Sequence, residues 1–305
     1  MTSLGARIVR ALLRLYTYPY RKNHKSLSRS IKLKTKPYKP SANFEHSVLN
    51  VCGTNVEKLC LKKSYNPSYA IVQFHGGGHT QSMNKMYRKA AERLCKSLKC
   101  AVYSIDYKTG ERLEYPSVHD ECYFAYVGLL DLLKDKSIIA IGDSFGANLM
   151  LSTLLRLRDA VLPLPCASIA VSSFIDLAAS GDSYRKNCHF DPLYALPKSQ
   201  KFENNERHIR RITPYCGTTS PQHELLSPAY ANYDGFPPML IQCGELETSE
   251  SDSDTLFEKA TSAGVNATLT KYEGMWHDFQ YITPFLKESK EAWNEIIDFV
   301  NRHAI

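Results

Sequence analysis

The chain has 305 residues, 43% apolar and 23% charged, a composition that excludes intrinsic disorder, collagen-like repeats and coiled coils. That length suits one large α/β domain or two small ones, and no apolar run reaches the ~18–20 residues needed to cross a bilayer. The net charge of +7 is uneven: residues 1–44 hold eleven Lys or Arg and no acid, so residues 45–305, with 27 basic and 31 acidic side chains, stand near −4. A mildly acidic body with a basic arm is not a nucleic-acid-binding surface. Nine cysteines are scattered without a Cys-x-x-Cys pair, several of them inside apolar runs. This argues against a zinc ribbon or a redox pair and, with no secretory leader in view, predicts a reducing, cytoplasmic setting.

Arginines at 7, 10 and 14 beside an aliphatic face predict an amphipathic basic helix from Leu4, either packed on its own domain or used for targeting or for a membrane surface. Residues 21–43 read as a polar, basic connector. Val48–Val51 and Val56–Leu61, separated by Gly53-Thr54-Asn55, predict a hairpin. Tyr69–Phe74 is a buried strand, and helical spacing follows through Met83, Met86, Ala90, Leu94 and Leu98. Strand Ala101–Ile105, a helix containing Tyr123–Leu133, strand Ile138–Ile141, a helix over about 145–157 and strand Ala167–Val171 continue the alternation. After residue 227 come strand Met239–Cys243, helix Ser251–Ala263, strand Ala267–Tyr272 and a last helix near Lys287–His303. Short buried strands alternating with helices predict a mostly parallel sheet covered on both faces. Between Asp176 and Ser227 the rhythm breaks, and a helical insertion over about 177–226 is expected there. The organisation read from this pattern is a basic arm over residues 1–46 and one catalytic domain over 47–305.

Chemistry concentrates at three places. Gly142-Asp143-Ser144-Phe145-Gly146 lies between an apolar strand and a helix, the context in which Gly-x-Ser-x-Gly makes a tight turn that presents the serine at a helix N-terminus. Gly181-Asp182-Ser183 lacks the second glycine and the preceding strand, and is rejected. His75-Gly76-Gly77-Gly78 directly follows a strand, so bare amides can approach a substrate carbonyl and hold a developing oxyanion. As a phosphate cradle it lacks a following Lys-Ser/Thr, and as a metal site through His75 and His79 it lacks a third ligand at suitable spacing. Gly274-Met275-Trp276-His277-Asp278-Phe279 follows a late strand, where a histidine suits a general base for a distant serine. The third member, an acid, should follow strand Met239–Cys243. Ser251 with Asp254 reads as a capping box, and Asp252 as a helix-dipole partner, which leaves Glu245 and Glu247 in the loop.

Together these stretches, with Ser227-Pro228 and Gly235 through Gly244, resemble the hormone-sensitive-lipase-like branch of the α/β-hydrolase esterases and lipases from about residue 47 onward. The resemblance implies an α/β-hydrolase fold whose helical cap is built from the N-terminal arm and the insertion. It also implies a serine carboxylester hydrolase acting on short- to medium-chain acyl esters, with Ser144 as nucleophile, His277 as base and Glu247 as acid. The amides of Gly77, Gly78 and Phe145 would form the oxyanion hole, with no cofactor, no metal and a small-molecule ester as substrate. Deacetylase or amidase chemistry on the same triad, or a ligand-binding role, are the alternatives. The chain departs from the family at Phe145, where Ala is usual; at His79, where an aromatic is common; at Asp106–Arg112, where Leu-Ala-Pro is missing; and at Glu247, where most members carry Asp. A bulky Phe145 either narrows the acyl pocket or packs under the helix.

Overall fold

Successive strand residues point to opposite faces of a sheet, so strands rich in Ile, Val and Ala on both faces need cover on both sides. In the computed structural model, which describes residues 2–22, 38–63, 65–66, 68–194, 196–204 and 214–304, eight strands form one sheet in the order β1-β2-β4-β3-β5-β6-β7-β8. They are β1 (Phe44–Val51), β2 (Thr54–Leu61), β3 (Tyr69–Phe74), β4 (Ala101–Asp106), β5 (Ser137–Asp143), β6 (Ala167–Val171), β7 (Met239–Gly244) and β8 (Ala267–Tyr272). The first two pair antiparallel, β2 pairs antiparallel with β4, and the other neighbours are parallel. The hairpin turn is Cys52-Gly53, with φ of 49° and 87°, because two consecutive positive φ values match the twist of the flanking strands. Thr54 and Asn55, expected in the turn, already pair with Val51 and Asn50.

The helices divide between the faces. The first is α1 (Leu4–Lys22), followed by α2 (Lys85–Leu98), α3 (Ser117–Leu132), α4 (Phe145–Asp159) and the short α5 (Ser183–Lys186). They are followed by α6 (Glu250–Ser262), the short α7 (Phe279–Ile282) and α8 (Lys287–His303). Side chains of α3, α4 and α6, such as Tyr126, Leu151 and Leu256, join Ala70, Val72, Ala140 and Ile241 in one core. On the other face Leu94 of α2 and Trp293 and Phe299 of α8 cover Ile71, Ile139, Ile169 and Leu240. A third, smaller cluster sits at the end of the sheet where α1 lies, and joins Ala6 to Leu193, Met275, Trp276 and Phe279. The start of α2 shows local sequence at work: Asn84 Oδ1 accepts the Met86 amide at 2.8 Å, and Lys99 closes the helix at φ 58°.

Three expectations need adjustment. The connector at 21–43 lies mostly outside the described residues, as do 205–213 of the insertion. The described part of 177–226 is mainly turns, with α5 as its single helix. Its backbone is held by acids and hydroxyls: Asp176 accepts the Ala178 and Ser180 amides, and Asp191 those of Leu193 and Tyr194. Finally, Ser251 caps no helix: α6 starts after Ser249, and Ser251 Oγ instead accepts the Ser183 amide at 2.8 Å.

Ile139 is wholly buried in the central strand β5. Ile139→Ala should lower the unfolding free energy by about 2–5 kcal/mol, read as a lower denaturation midpoint at unchanged slope in urea.

Candidate active site

β5 ends at Asp143 and α4 begins at Phe145, so Ser144 alone reverses the chain. Its backbone stands at φ 52°, ψ −123°, a strained conformation worth of order 1–3 kcal/mol that the surroundings must impose. They do so by close packing. A Cβ on Gly146 would lie 2.2 Å from the Phe74 carbonyl oxygen, and one on Gly142 would lie 2.4 Å from the Gly146 oxygen. Backbone therefore lies directly on backbone, and the Ser144 side chain stands at the C-terminal edge of the parallel strands.

Two loops from neighbouring strands reach this point. His277, after β8, places Nε2 at 2.8 Å from Ser144 Oγ and Nδ1 at 3.1 Å from Glu247 Oε2. Glu247, after β7, is wholly buried, and its Oε1 accepts the Ser172 hydroxyl at 2.8 Å and the Gly244 amide. Ser144, His277 and Glu247 thus form one line of hydrogen bonds. Glu245, the other acid of that loop, is exposed and accepts the Gly274 amide at 3.1 Å. Asp254 pairs with Lys271 on the surface. Asp252 is not simply a dipole partner of α6: it is buried, and its Oδ2 accepts the Ile175 and Asp176 amides and the Tyr184 hydroxyl, fixing the loop after β6.

The glycine triplet packs on the turn. A Cβ on Gly76 would fall 3.0 Å from Ser144 Cβ, while Gly77 and Gly78 take φ of 91° and 62°. The Cβ position of Gly78 faces open space. The buried Tyr107 hydroxyl donates to the His75 carbonyl at 2.7 Å, and its ring stacks on the His75 ring at 4.1 Å. Burial pushes His75 down to about 4, so its ring is neutral at pH 7. His79 packs against Tyr215 and Phe145, at 5.1 and 6.3 Å between ring centroids. No group of three His, Cys, Asp or Glu able to hold a metal occurs among the described residues. Phe145 is fully buried against His79, His119 and Tyr215 and joins the core that α4 covers, so its ring packs under the helix.

Four residues of this site escape a reading of motifs. Ser172, at φ 47°, donates to Glu247 and accepts the Asp278 amide at 3.0 Å, tying the acid to the histidine loop. Asp191, from the insertion, accepts the His277 amide at 3.3 Å. Asp278 places Oδ2 at 3.4 Å from His277 Nε2. Tyr107 staples the glycine loop. Only Asp278, adjacent to the histidine, lay close enough in sequence to be noticed.

The electrostatics follow from burial and crowding. Burial alone would pull His277 down, but the carboxylates of Asp278, Glu247 and Asp191 overcome it and lift the imidazole to about 10. Burial also raises Asp278 to about 7, and Asp143 well above the usual carboxylate range. A basin of about 1040 Å³, bordered by Lys62, Lys63, Lys89, Arg93, Lys96 and Lys99, contains none of these residues. It opens beside the start of β4, at the opposite edge of the parallel strands from Ser144.

An eight-stranded, mostly parallel sheet with a serine on a strained strand-to-helix turn and a histidine after the last strand defines the α/β-hydrolase class. The chain belongs to that family, in its hormone-sensitive-lipase-like branch: residues 71–281 match the model of an alpha/beta hydrolase fold family. It is 30% identical to an esterase of Acinetobacter venetianus, over 82% of this chain and 80% of that protein. It is 29% identical to an acetyl-hydrolase of Streptomyces hygroscopicus, over 73% and 72%. The crystal structure of an esterase from the bacterial hormone-sensitive lipase family superposes over all of both chains with a TM-score of 0.82 at 26% identity. The protein is an enzyme of the esterase and lipase class.

Two outcomes follow from this geometry. Ser144→Ala should abolish ester hydrolysis, whereas Ser183→Ala should remove only the hydrogen bonds Ser183 makes to Thr248 and Ser251, costing about 1–3 kcal/mol of stability with activity retained. Turnover of a soluble ester and a urea melt separate the two; a dead Ser183→Ala beside a live Ser144→Ala would overturn the assignment. Hydrolysis that needs neutral His277 rises with pH through its titration, so the ascending limb should lie above the 6.5 of free imidazole. Asp278→Asn removes one of the carboxylates that lift His277, and should move that limb to lower pH.

Proposed function

We propose that the protein is a serine carboxylester hydrolase working through an acyl-enzyme, with short acyl groups as its preferred substrates. The observation that carries this is the unbroken line from Ser144 Oγ through His277 to Glu247, at 2.8 and 3.1 Å, ending on a positive-φ turn. His277 Nε2 takes the Ser144 proton as Oγ attacks the ester carbonyl. The Gly77, Gly78 and Phe145 amides hold the oxyanion, each worth about 10²–10³ in rate. Glu247 fixes the imidazole with Nδ1–H toward the carboxylate and stabilises the imidazolium. His277 then gives its proton to the departing alcohol. A water attacks the acyl group with the same histidine as base, which frees the acid and restores Ser144. Acyl transfer by these groups asks for no cofactor.

Two further points support the reading. The 29% identical relative named an acetyl-hydrolase supports a short acyl group. The arm and the insertion act as the cap: Val9 and Leu13 of α1 and Tyr194 of the insertion pack with Met275 and Trp276, directly before His277. An amidase or deacetylase on the same residues differs only in the leaving group.

Labelling by a fluorophosphonate probe tests the mechanism. The wild-type chain should label at Ser144; a chain that does not label is a binding protein and overturns the reading. Nitrophenyl acetate should turn over faster than the octanoate, and acetanilide should turn over more slowly than either if the leaving group is an alcohol. Glu247→Gln should lower kcat by orders of magnitude with KM little changed, since orienting the base acts mainly in the transition state. Glu245→Gln should be mild. The reverse ranking transfers the acid to Glu245.

A further inference from the structure

Exposed large hydrophobic side chains are ordinary when scattered and meaningful when contiguous. Twelve occur among the described residues, and six of them, Leu4, Ile8, Leu12, Leu15, Tyr16 and Tyr18, lie on α1. At 100° per residue they occupy one arc of ~160°. Leu4, Leu12, Leu15 and Tyr16 are 70%, 60%, 73% and 60% exposed. The opposite side of the helix is already used. Ala6 is fully buried with Trp276 and Phe279, Arg10 donates to the Gly274 carbonyl at 3.1 Å, and Ser3 and Thr2 bond Glu288 and the Glu273 carbonyl. The helix is therefore pinned by one face and turns its apolar face outward.

The charge says what that face meets. Arg7 and Arg14 border the apolar arc, and residues 1–44 carry eleven cations and no acid. Two copies joined through α1 would set these arms together, like charge against like. Residues 23–37 offer three aliphatic side chains against five Lys or Arg, too few to cover the stripe. An anionic lipid surface accepts both features: apolar side chains enter the headgroup boundary, and each nearby cation is drawn to the anionic headgroups. No helix among the described residues is long and apolar enough to cross a membrane, so the contact is peripheral.

We propose that α1 docks the protein on an anionic lipid surface, with Leu4, Ile8, Leu12, Leu15 and Tyr16 inserted and the basic arm on the headgroups. Because α1 packs on the loop that leads into His277, docking brings the cleft to esters held at that surface; this second part rests on the function proposed above.

Sedimentation of the full chain with vesicles tests the docking. Vesicles of phosphatidylcholine with phosphatidylglycerol should bind the wild-type protein at least roughly tenfold better than phosphatidylcholine alone, with the difference shrinking as salt rises. I8S/L12S/L15S should lose binding by roughly tenfold or more while turning over nitrophenyl acetate at the wild-type rate. R7E/R14E, which leaves the apolar stripe intact, should lose it through charge. Undiminished binding by both variants would move the contact to the basic basin and overturn the proposal. A wild-type dimer that I8S/L12S/L15S turns into a monomer would overturn it too, since a second copy would then cover the face. On nitrophenyl decanoate carried in the mixed vesicles, the wild type should outpace I8S/L12S/L15S. A wild-type chain that binds vesicles but cleaves no ester supports docking and sinks the esterase reading alone.

Discussion

At Gly146 the start of α4 lies against the carbonyl groups of Phe74 and His75, closer than any side chain would allow. That contact fixes three things at once. It lets β5 turn into α4 within one residue, it holds Ser144 in a backbone conformation a free chain would leave, and it sets the glycine loop after β3 beside the same serine. Strain of this kind persists only where the surroundings over-determine it. Here they do, because β3 and β5 are adjacent parallel strands whose register leads Phe74 to Gly142. The sheet's pairing and the position of the serine are one constraint seen at two scales.

The histidine is held differently, by side chains rather than by backbone packing. Glu247 approaches Nδ1, Asp191 takes the amide, and Asp278 lies near Nε2. Three carboxyl groups around one buried imidazole favour its cation. Burial, with the crowding of like charges behind it, disfavours the carboxylates, so Asp278 and Asp143 hold their protons to higher pH than free acids do. In the proposed mechanism a stabilised imidazolium is balanced against a base that must first be neutral.

What was legible in the sequence was what is contiguous in it. The turn at Ser144, the glycine triplet and the loop of His277 each carry their own strand context, so periodicity and glycine placement located all three. The sheet followed from alternating short strands and helices for the same reason. Glu245 and Glu247, two acids two residues apart in a loop, look alike in sequence; only the family resemblance favoured Glu247, which is the one the fold buries. Asp191, Ser172 and Tyr107 were out of reach, since their partners lie 86, 75 and 32 residues away. Ser251 and Asp252 misled for a related reason. Local rules assign such residues to the nearest helix end, yet in the fold the Ser183 amide claims Ser251, and the loop after β6 claims Asp252.

The bond between Ser3 and Glu288 spans 285 residues, and it joins the helix that braces the histidine loop to the helix that follows it. A ribosome therefore finishes the brace's first half long before its partner exists. Until then α1 has nothing to pack on, and its outward stripe and its inward face are both bare. Closing so long a loop is costly and comes late, which makes the nascent arm a site for chaperones to cover. The contact between Ser144 and His277 is deferred in the same way, since Ser144 leaves the ribosome more than a hundred residues before the imidazole it meets.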